Sequence, residues 1–288
     1  MPSGILIIDK PSGWTSMDVC AKIRGILHEK RVGHGGTLDP MATGVLPVFV
    51  GRATKAVEFA DKSDKEYVAG MRLGIITNTQ DSTGDVLETR KVSSSDADVE
   101  NAARSFLGDI EQIPPMYSAI KINGKKLCDL ARRGKEVERP PRRITISEIE
   151  ILAHPSEDEY ELRVVCSKGT YIRTLCSDIG AMLGCGAVMS SLRRTRAGSF
   201  SESEAVTLEE VQRSGESLLR PVDSLFLDYP EFTISDGADE ARCRNGLPFP
   251  AEAGEGAYFR VFGRDGEFLC LSRVSGGYMT SVKNFFGA

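Results

Sequence analysis

The stretch Val32-Gly33-His34-Gly35-Gly36-Thr37-Leu38-Asp39-Pro40-Met41-Ala42-Thr43-Gly44-Val45-Leu46-Pro47 places one carboxylate, Asp39, in a loop of glycines and small polar residues. The glycines let another backbone approach closely. Pro40 disfavours helical geometry at Asp39 and pushes it toward an extended form. A loop Asp ordinarily caps a helix or closes a turn, but this setting can also present an acid to a ligand. It is not a phosphate loop, because the Lys-Ser/Thr ending of that motif is missing.

Outward from this loop, strands and helices mix without a regular βαβ rhythm. Residues 4–9 read as a short buried strand. Thr15 or Ser16 caps a helix with an apolar face of Val19, Ile23, Ile26 and Leu27. Residues 44–50 read as a strand that Pro47 makes an edge or an irregularity. The pattern then predicts a helix over 52–60, a strand over 66–73, a turn at 81–85 and a helix over 93–107. Ile113-Pro114-Pro115 breaks the chain, and a short helix follows at 127–133. Residues 143–152 and 160–167 alternate like paired strands, 170–183 has helical spacing, and 187–197 is strand-like. From about 230 the texture turns to short strands and glycines. The prediction is an α+β fold, a mixed, mainly antiparallel sheet flanked by helices, with a first domain over 1–228 and a small β-rich one over 229–288.

The chain has 288 residues, 41% of them apolar, and a net charge of −5. Average charge does not decide partners, because a local basic face governs contact with phosphates. Residues 121–143 carry nine basic side chains against three acidic ones, a net of +6. Arg193, Arg194 and Arg196 form a second cluster. Seven scattered cysteines form no CxxC pair and read as free thiols of a reducing cytosol. Three separated histidines lack metal-site spacing. No signal peptide and no run near the roughly 18 apolar residues of a membrane span is visible.

Six blocks now line up. Lys10-Pro11-Ser12-Gly13-Trp14-Thr15-Ser16 resembles the opening motif of bacterial tRNA pseudouridine-55 synthases, and 33–47 resembles their catalytic loop. Lys65-Glu66-Tyr67 is similar to a third element. Gly108-Asp109 with Gln112, Pro114-Pro115 and Ser118-Ala119-Ile120-Lys121 is similar to a fourth. Gly169-Thr170-Tyr171-Ile172-Arg173-Thr174-Leu175 and Ser191-Leu192-Arg193-Arg194-Thr195 complete the set, in family order across residues 4–200. By these blocks the chain is identified as a member of that family.

The resemblance implies the pseudouridine synthase fold, a PUA-like RNA-binding C-terminal domain, and conversion of uridine to pseudouridine at position 55 in the T-loop of tRNA. It makes Asp39 the essential nucleophile and Arg173 its partner, expected to hold it ionised. Tyr67 would stack on a flipped-out base and take part in proton removal from C5; Tyr171 and Leu192 would line the pocket. His34 would help hold the displaced nucleotide. Lys121, Lys125, Lys126, Arg132, Arg133, Arg142 and Arg143, with Arg193 and Arg194, would grip RNA. Since the product is an isomer of the substrate, no cofactor or metal is called for. Whether Asp39 attacks C6 or C1′ is open in the sequence. The chain departs from the family at Cys128, where many relatives have Tyr, and at Asn78, where Asp is frequent. The expectation is a cytoplasmic monomer acting on the T-stem-loop. Two alternatives are a tRNA-binding folding helper and the catalytic subunit of a guide-RNA-directed particle. A metal hydrolase or nucleotidase is disfavoured.

Overall fold

Alternation along the strand Gly4–Lys10 sends Leu6 and Ile8 to one face of a sheet and Ile5 and Ile7 to the other, and both pairs are buried. The computed structural model that shows this describes residues 2–287, apart from the side chains of Asp61 and Lys62. Seven strands run edge to edge in the order Gly4–Lys10, Thr43–Val50, Ala187–Ala197, Lys65–Leu73, Glu159–Cys166, Arg142–Ser156 and Gly108–Gln112. Val32–His34 and Phe200–Ser201 add on beside Thr43–Val50 and Ala187–Ala197. Every pairing is antiparallel except where Arg193 and Arg194 meet Thr43 and Gly44. The α+β architecture expected from the sequence is what forms.

One face of this sheet carries the main core. Helices Ser16–Leu27, Asp96–Arg104, Ile172–Met182 and Leu208–Ser214 lay their apolar sides on it. Three of the four start at a capping box, with Thr15, Ser95 and Thr207 each bonded to an acid three residues on. The opposite face is covered at one end, where Phe49, Phe226, Leu271 and Phe285 share a cluster with Ala53, Ala56 and Ala60. Those alanines lie in a 3₁₀ turn, Gly51–Ala56, and a short helix, Val57–Lys62, which together replace the single helix expected there.

A second sheet follows, in the order Glu231–Thr233, Tyr258–Phe262, Phe268–Ser275, Tyr278–Asn284 and Phe249–Pro250. It has a core of its own around Ile234, Val261, Leu269 and Met279, capped by the helix Gly237–Arg244. That helix has no apolar period, only Cys243 being buried, which is why its sequence reads as a loop. The edge strand Gly108–Gln112 and the hairpin Ile75–Thr77 with Val86–Thr89 also escape the sequence pattern. Both are polar or exposed, so no alternation marks them.

Pro47 sits where Thr43–Val50 changes partners. Its carbonyl faces away from Gly4–Lys10 and accepts from the Gly35 N–H at 2.9 Å. The missing proline N–H points the same way, so no bond to Gly4–Lys10 is lost. The parallel contact with Ala187–Ala197 ends before it at Gly44, and the pairing with Val32–His34 begins after it at Val48.

Gly44 crosses Arg194 at the parallel contact with φ +96°, and a Cβ there would lie 2.3 Å from the Arg194 carbonyl oxygen. A left-handed backbone alone costs a side chain about 1–2 kcal/mol. Gly44→Ala is therefore expected to lower the melting temperature by at least about 2–4 °C in a thermal scan. An unchanged melting temperature would show that the crossing relaxes freely.

Candidate active site

Arg173 is the second residue of the helix Ile172–Met182 and is only 4% exposed. A cation in a first helical turn opposes the helix dipole, and two carboxylates offset it here. Asp39 takes the guanidinium side-on, Nε to Oδ2 at 2.9 Å and Nη2 to Oδ1 at 3.3 Å. Asp81 faces Nη1 at 3.6 Å. The remaining donors go to backbone carbonyls, Nη1 to Thr79 at 3.1 Å and Nη2 to Tyr117 at 2.8 Å. Each edge of the fork is thus engaged.

Asp81 was legible only as part of a turn. It is 5% exposed, and its Oδ1 accepts from the Thr83 N–H and from the hydroxyls of Thr79 and Thr83. Flanking threonines two residues away on either side were the signal in the sequence. Asn78 closes the same turn, its side chain bonded to Asp85 through both the backbone N–H and the carboxylate.

The loop bearing Asp39 is held by the opening motif. Ser16 exchanges hydrogen bonds with the backbone of Leu38, at 2.9 and 3.3 Å. The Gly13 N–H donates to the Pro40 carbonyl. Lys10 is fully buried and its ammonium donates to three carbonyls, Pro11, Trp14 and Pro40. Burial, helped by nearby Arg194, draws this ammonium down to about 8 against the pull of Asp39.

Asp39 itself keeps a third of its side chain in solvent. Burial nevertheless pushes its carboxyl above the usual value; Arg173 opposes this, and Asp81 adds to it. The expected pairing with Arg173 forms and favours the ionised acid, while desolvation and a second acid act against it. Tyr67 lies on Lys65–Leu73 and Tyr171 caps the Ile172–Met182 helix. Burial pushes both phenols up, and Asp39 adds to each. Gln112 clamps Tyr171 by its backbone, accepting from its N–H at 2.8 Å and donating to its carbonyl at 3.1 Å. Leu192 is 8% exposed, within the apolar cluster that also holds Tyr67 and Leu38. His34 is half-buried on the strand that leads into the loop.

Arg194 does not belong to the basic surface. It is 1% exposed, opposite Tyr67 in the ladder, and donates to the carbonyls of Val45 and Gly36. It is a buried tie between the Asp39 loop and the sheet. Arg193 is half-exposed but forked onto Asp9 at 3.0 and 3.2 Å and onto Glu202 at 2.9 Å, so its charge is balanced within the chain. Lys121, Lys125, Lys126, Arg132, Arg133, Arg142 and Arg143 are all exposed. Among the described residues no cluster of three or more His, Cys, Asp or Glu is arranged to hold a metal, and no helix is long and apolar enough to cross a membrane.

This fold and site place the chain among pseudouridine synthases. The sequence matches the TruB family pseudouridylate synthase N-terminal domain over residues 24–172 and the tRNA pseudouridylate synthase B C-terminal domain over 173–226. The chain belongs to the TruB family. It is 45% identical over 282 residues to the tRNA pseudouridine synthase B of Pseudomonas fluorescens, covering 95% of this chain and 92% of that one. To the same-named protein of Alkaliphilus oremlandii it is 52% identical over 223 residues, or 77% and 74% of the two chains. Among solved structures it is similar to a chain of a Cbf5-Nop10-Gar1 complex, with a TM-score of 0.73, 29% identity, and 98% of this chain and 85% of that one covered. A chain of an H/ACA RNP bound to a substrate RNA containing 2′-deoxyuridine gives a TM-score of 0.72 at 27% identity, with the same coverage.

The two acids sharing Arg173 make a test of the electrostatics. Carbon-13 NMR of the Asp39 carboxyl is expected to give a midpoint above the ordinary 3.8. In Asp81→Asn, with the like charge gone, the midpoint should fall. A midpoint at or below the ordinary value in the parent would mean that Arg173 prevails.

Proposed function

We propose that this chain converts uridine to pseudouridine in tRNA, at position 55 of the T-loop, with Asp39 as nucleophile. The carrying observation is the Asp39 carboxylate held side-on by the buried Arg173 guanidinium in a partly open cleft. The reaction breaks the N1–C1′ bond, turns the base, forms C5–C1′, and moves one proton from C5 to N1. Atoms balance within the substrate. A covalent adduct with a carboxylate stabilises the half-exchanged state, and the side-on clamp orients both Asp39 oxygens. The target base lies within folded RNA, so it must be everted to reach the acid. Tyr67 offers the stacking face, a contact on the order of 1–3 kcal/mol per base. Its phenol, pushed up by burial, is neutral at pH 7. Tyr171 and Leu192 shape the walls, and His34 stands at the loop entrance.

RNA grip falls to the basic segment. Lys121, Lys125, Lys126 and Arg133 line an open depression of about 320 Å³, and Arg142 and Arg143 extend the exposed charge. We assign residues 1–228 to catalysis, with 121–143 as an RNA-gripping insertion, and 229–288 to a second RNA contact. A cytoplasmic monomer is the form we assign. A stand-alone enzyme is favoured over a particle subunit, because identity is 45% to a bacterial relative across its length and 29% to the particle chain.

Release of tritium from a C5-labelled T-stem-loop RNA tests the assignment. Asp39→Asn is expected to lose at least about 10³-fold in rate, while RNA affinity stays within about threefold, since the phosphate contacts remain. Activity in both proteins, or in neither, defeats the proposal.

The grip is tested by changing Arg132 and Arg133 together to Ala. Affinity should fall, and the slope of log affinity against log salt should flatten by about 1 to 2. An unaltered slope would return the segment to plain solvated surface.

A further inference from the structure

Six of the seven cysteines are buried. Only two of them, among the described residues, lie sulfur to sulfur. Cys243 is on the helix Gly237–Arg244, and Cys270 is on the middle strand of the second sheet, Phe268–Ser275. Their Sγ atoms are 3.5 Å apart in the core that joins helix to sheet. The Cys270 sulfur also meets the Ser272 hydroxyl at 3.1 Å. Two thiols at this separation need only a small approach to bond at about 2.05 Å. They are 27 positions apart in sequence, so the link would close a sizeable loop. We infer that Cys243 and Cys270 are a reversible oxidation site, forming an intramolecular disulfide that pins the helix to the sheet when a two-electron oxidant of the peroxide class reaches them.

The chemistry balances with peroxide as the oxidant. The Cys270 thiolate attacks a peroxide oxygen; the O–O bond breaks, hydroxide leaves and is protonated to water, and the sulfur becomes a sulfenic acid. The Cys243 sulfur then attacks the sulfenic sulfur, the S–S bond forms, and a second water leaves with the thiol proton. Two thiols lose two electrons and two hydrogens, and one hydrogen peroxide gives two waters. The two sulfurs share one contact in which either can donate, and the Ser272 hydroxyl lies beside Cys270. With Cys270 attacking, Cys243 resolves, and the exchanged order gives the same disulfide. The inference does not depend on the function assigned to Asp39.

The test uses the full-length, reduced protein exposed to hydrogen peroxide, then denatured and alkylated. Intact mass should fall by about 2 Da before alkylation, the two hydrogens lost. A non-reducing digest should contain a peptide pair joining Cys243 to Cys270 that dithiothreitol separates. The linkage should be absent in Cys243→Ser and in Cys270→Ser. The parent protein carries the decisive readout, so a variant that folds poorly does not blur the answer. Full alkylation of both cysteines after peroxide treatment would overturn the inference. So would oxidation confined to the half-buried Cys128, seen as covalent dimers or as oxygen added at that residue.

Discussion

A guanidinium with almost no solvent contact, shared by two carboxylates at the start of a helix, is the constraint that organises this molecule. Arg173 cannot lose its charge, and a buried cation without partners is costly. Asp39 and Asp81 must therefore converge on it. They come from segments more than 40 residues apart, Asp39 from the loop before Thr43–Val50 and Asp81 from the turn of the hairpin Ile75–Thr77 with Val86–Thr89. The strand order that brings Ala187–Ala197 between Thr43–Val50 and Lys65–Leu73 sets the strand after the Asp39 loop and the strand that leads toward the Asp81 turn on its two sides. The electrostatic result is an acid poised rather than locked. Its clamp favours ionisation, while burial and its neighbour oppose it.

The irregular backbone around the acid depends on the same kind of group. Loop carbonyls inside a protein need donors, because leaving one unpaired costs on the order of 1–3 kcal/mol. Lys10 serves Pro11, Trp14 and Pro40; Arg194 serves Val45 and Gly36; Arg173 serves Thr79 and Tyr117. Three buried cations thus satisfy seven carbonyls and also face two carboxylates. This explains why the opening motif carries a lysine so far in sequence from Asp39, and why Gly36 and Gly44 are needed where Arg194 passes. A side chain at Gly44 would meet the Arg194 backbone itself.

Much of this was legible in the residues. Period-2 and helical spacing located the buried strands and helices, because burial is what produces those periods. The hydroxyl at Thr15 marked the start of Ser16–Leu27, whereas the helix expected from residue 93 begins at Asp96. Polar edge elements such as Gly108–Gln112 left no such trace, since solvent on one side removes the pattern. Within the site, Asp39 was conspicuous for its glycines and Arg173 through the family resemblance. Asp81 was not, because its role depends on a partner 92 positions away. The sign of the Asp39 shift was likewise hidden. It is decided by how much water the fold removes, and no local motif encodes that quantity. Arg194 was misplaced for the same reason: arginine pairs in sequence look like surface charge until the pleat turns one of them inward.

That inversion bears on how an acidic chain can address RNA. The net charge of −5 is a sum over two populations that never compete. Cations at 0–4% exposure in Lys10, Arg173 and Arg194 are consumed by carbonyls and carboxylates, and they contribute little field outside. Arg193 and Arg244 are half-exposed and paired to two acids each, and Arg163, also half-exposed, to three. A local surplus lies in 121–143, where nine bases meet three acids, although Arg143 is also paired with Asp109 at 2.7 Å. Field at a phosphate falls within about 8–10 Å at physiological salt, so an RNA backbone over that segment senses this local positive surplus more than the remote acidic surface. Attraction is thereby confined to one place. An everted nucleotide would then be handed to a cleft whose own charges are already spoken for, leaving the Asp39 oxygens as the part of that network still open to solvent.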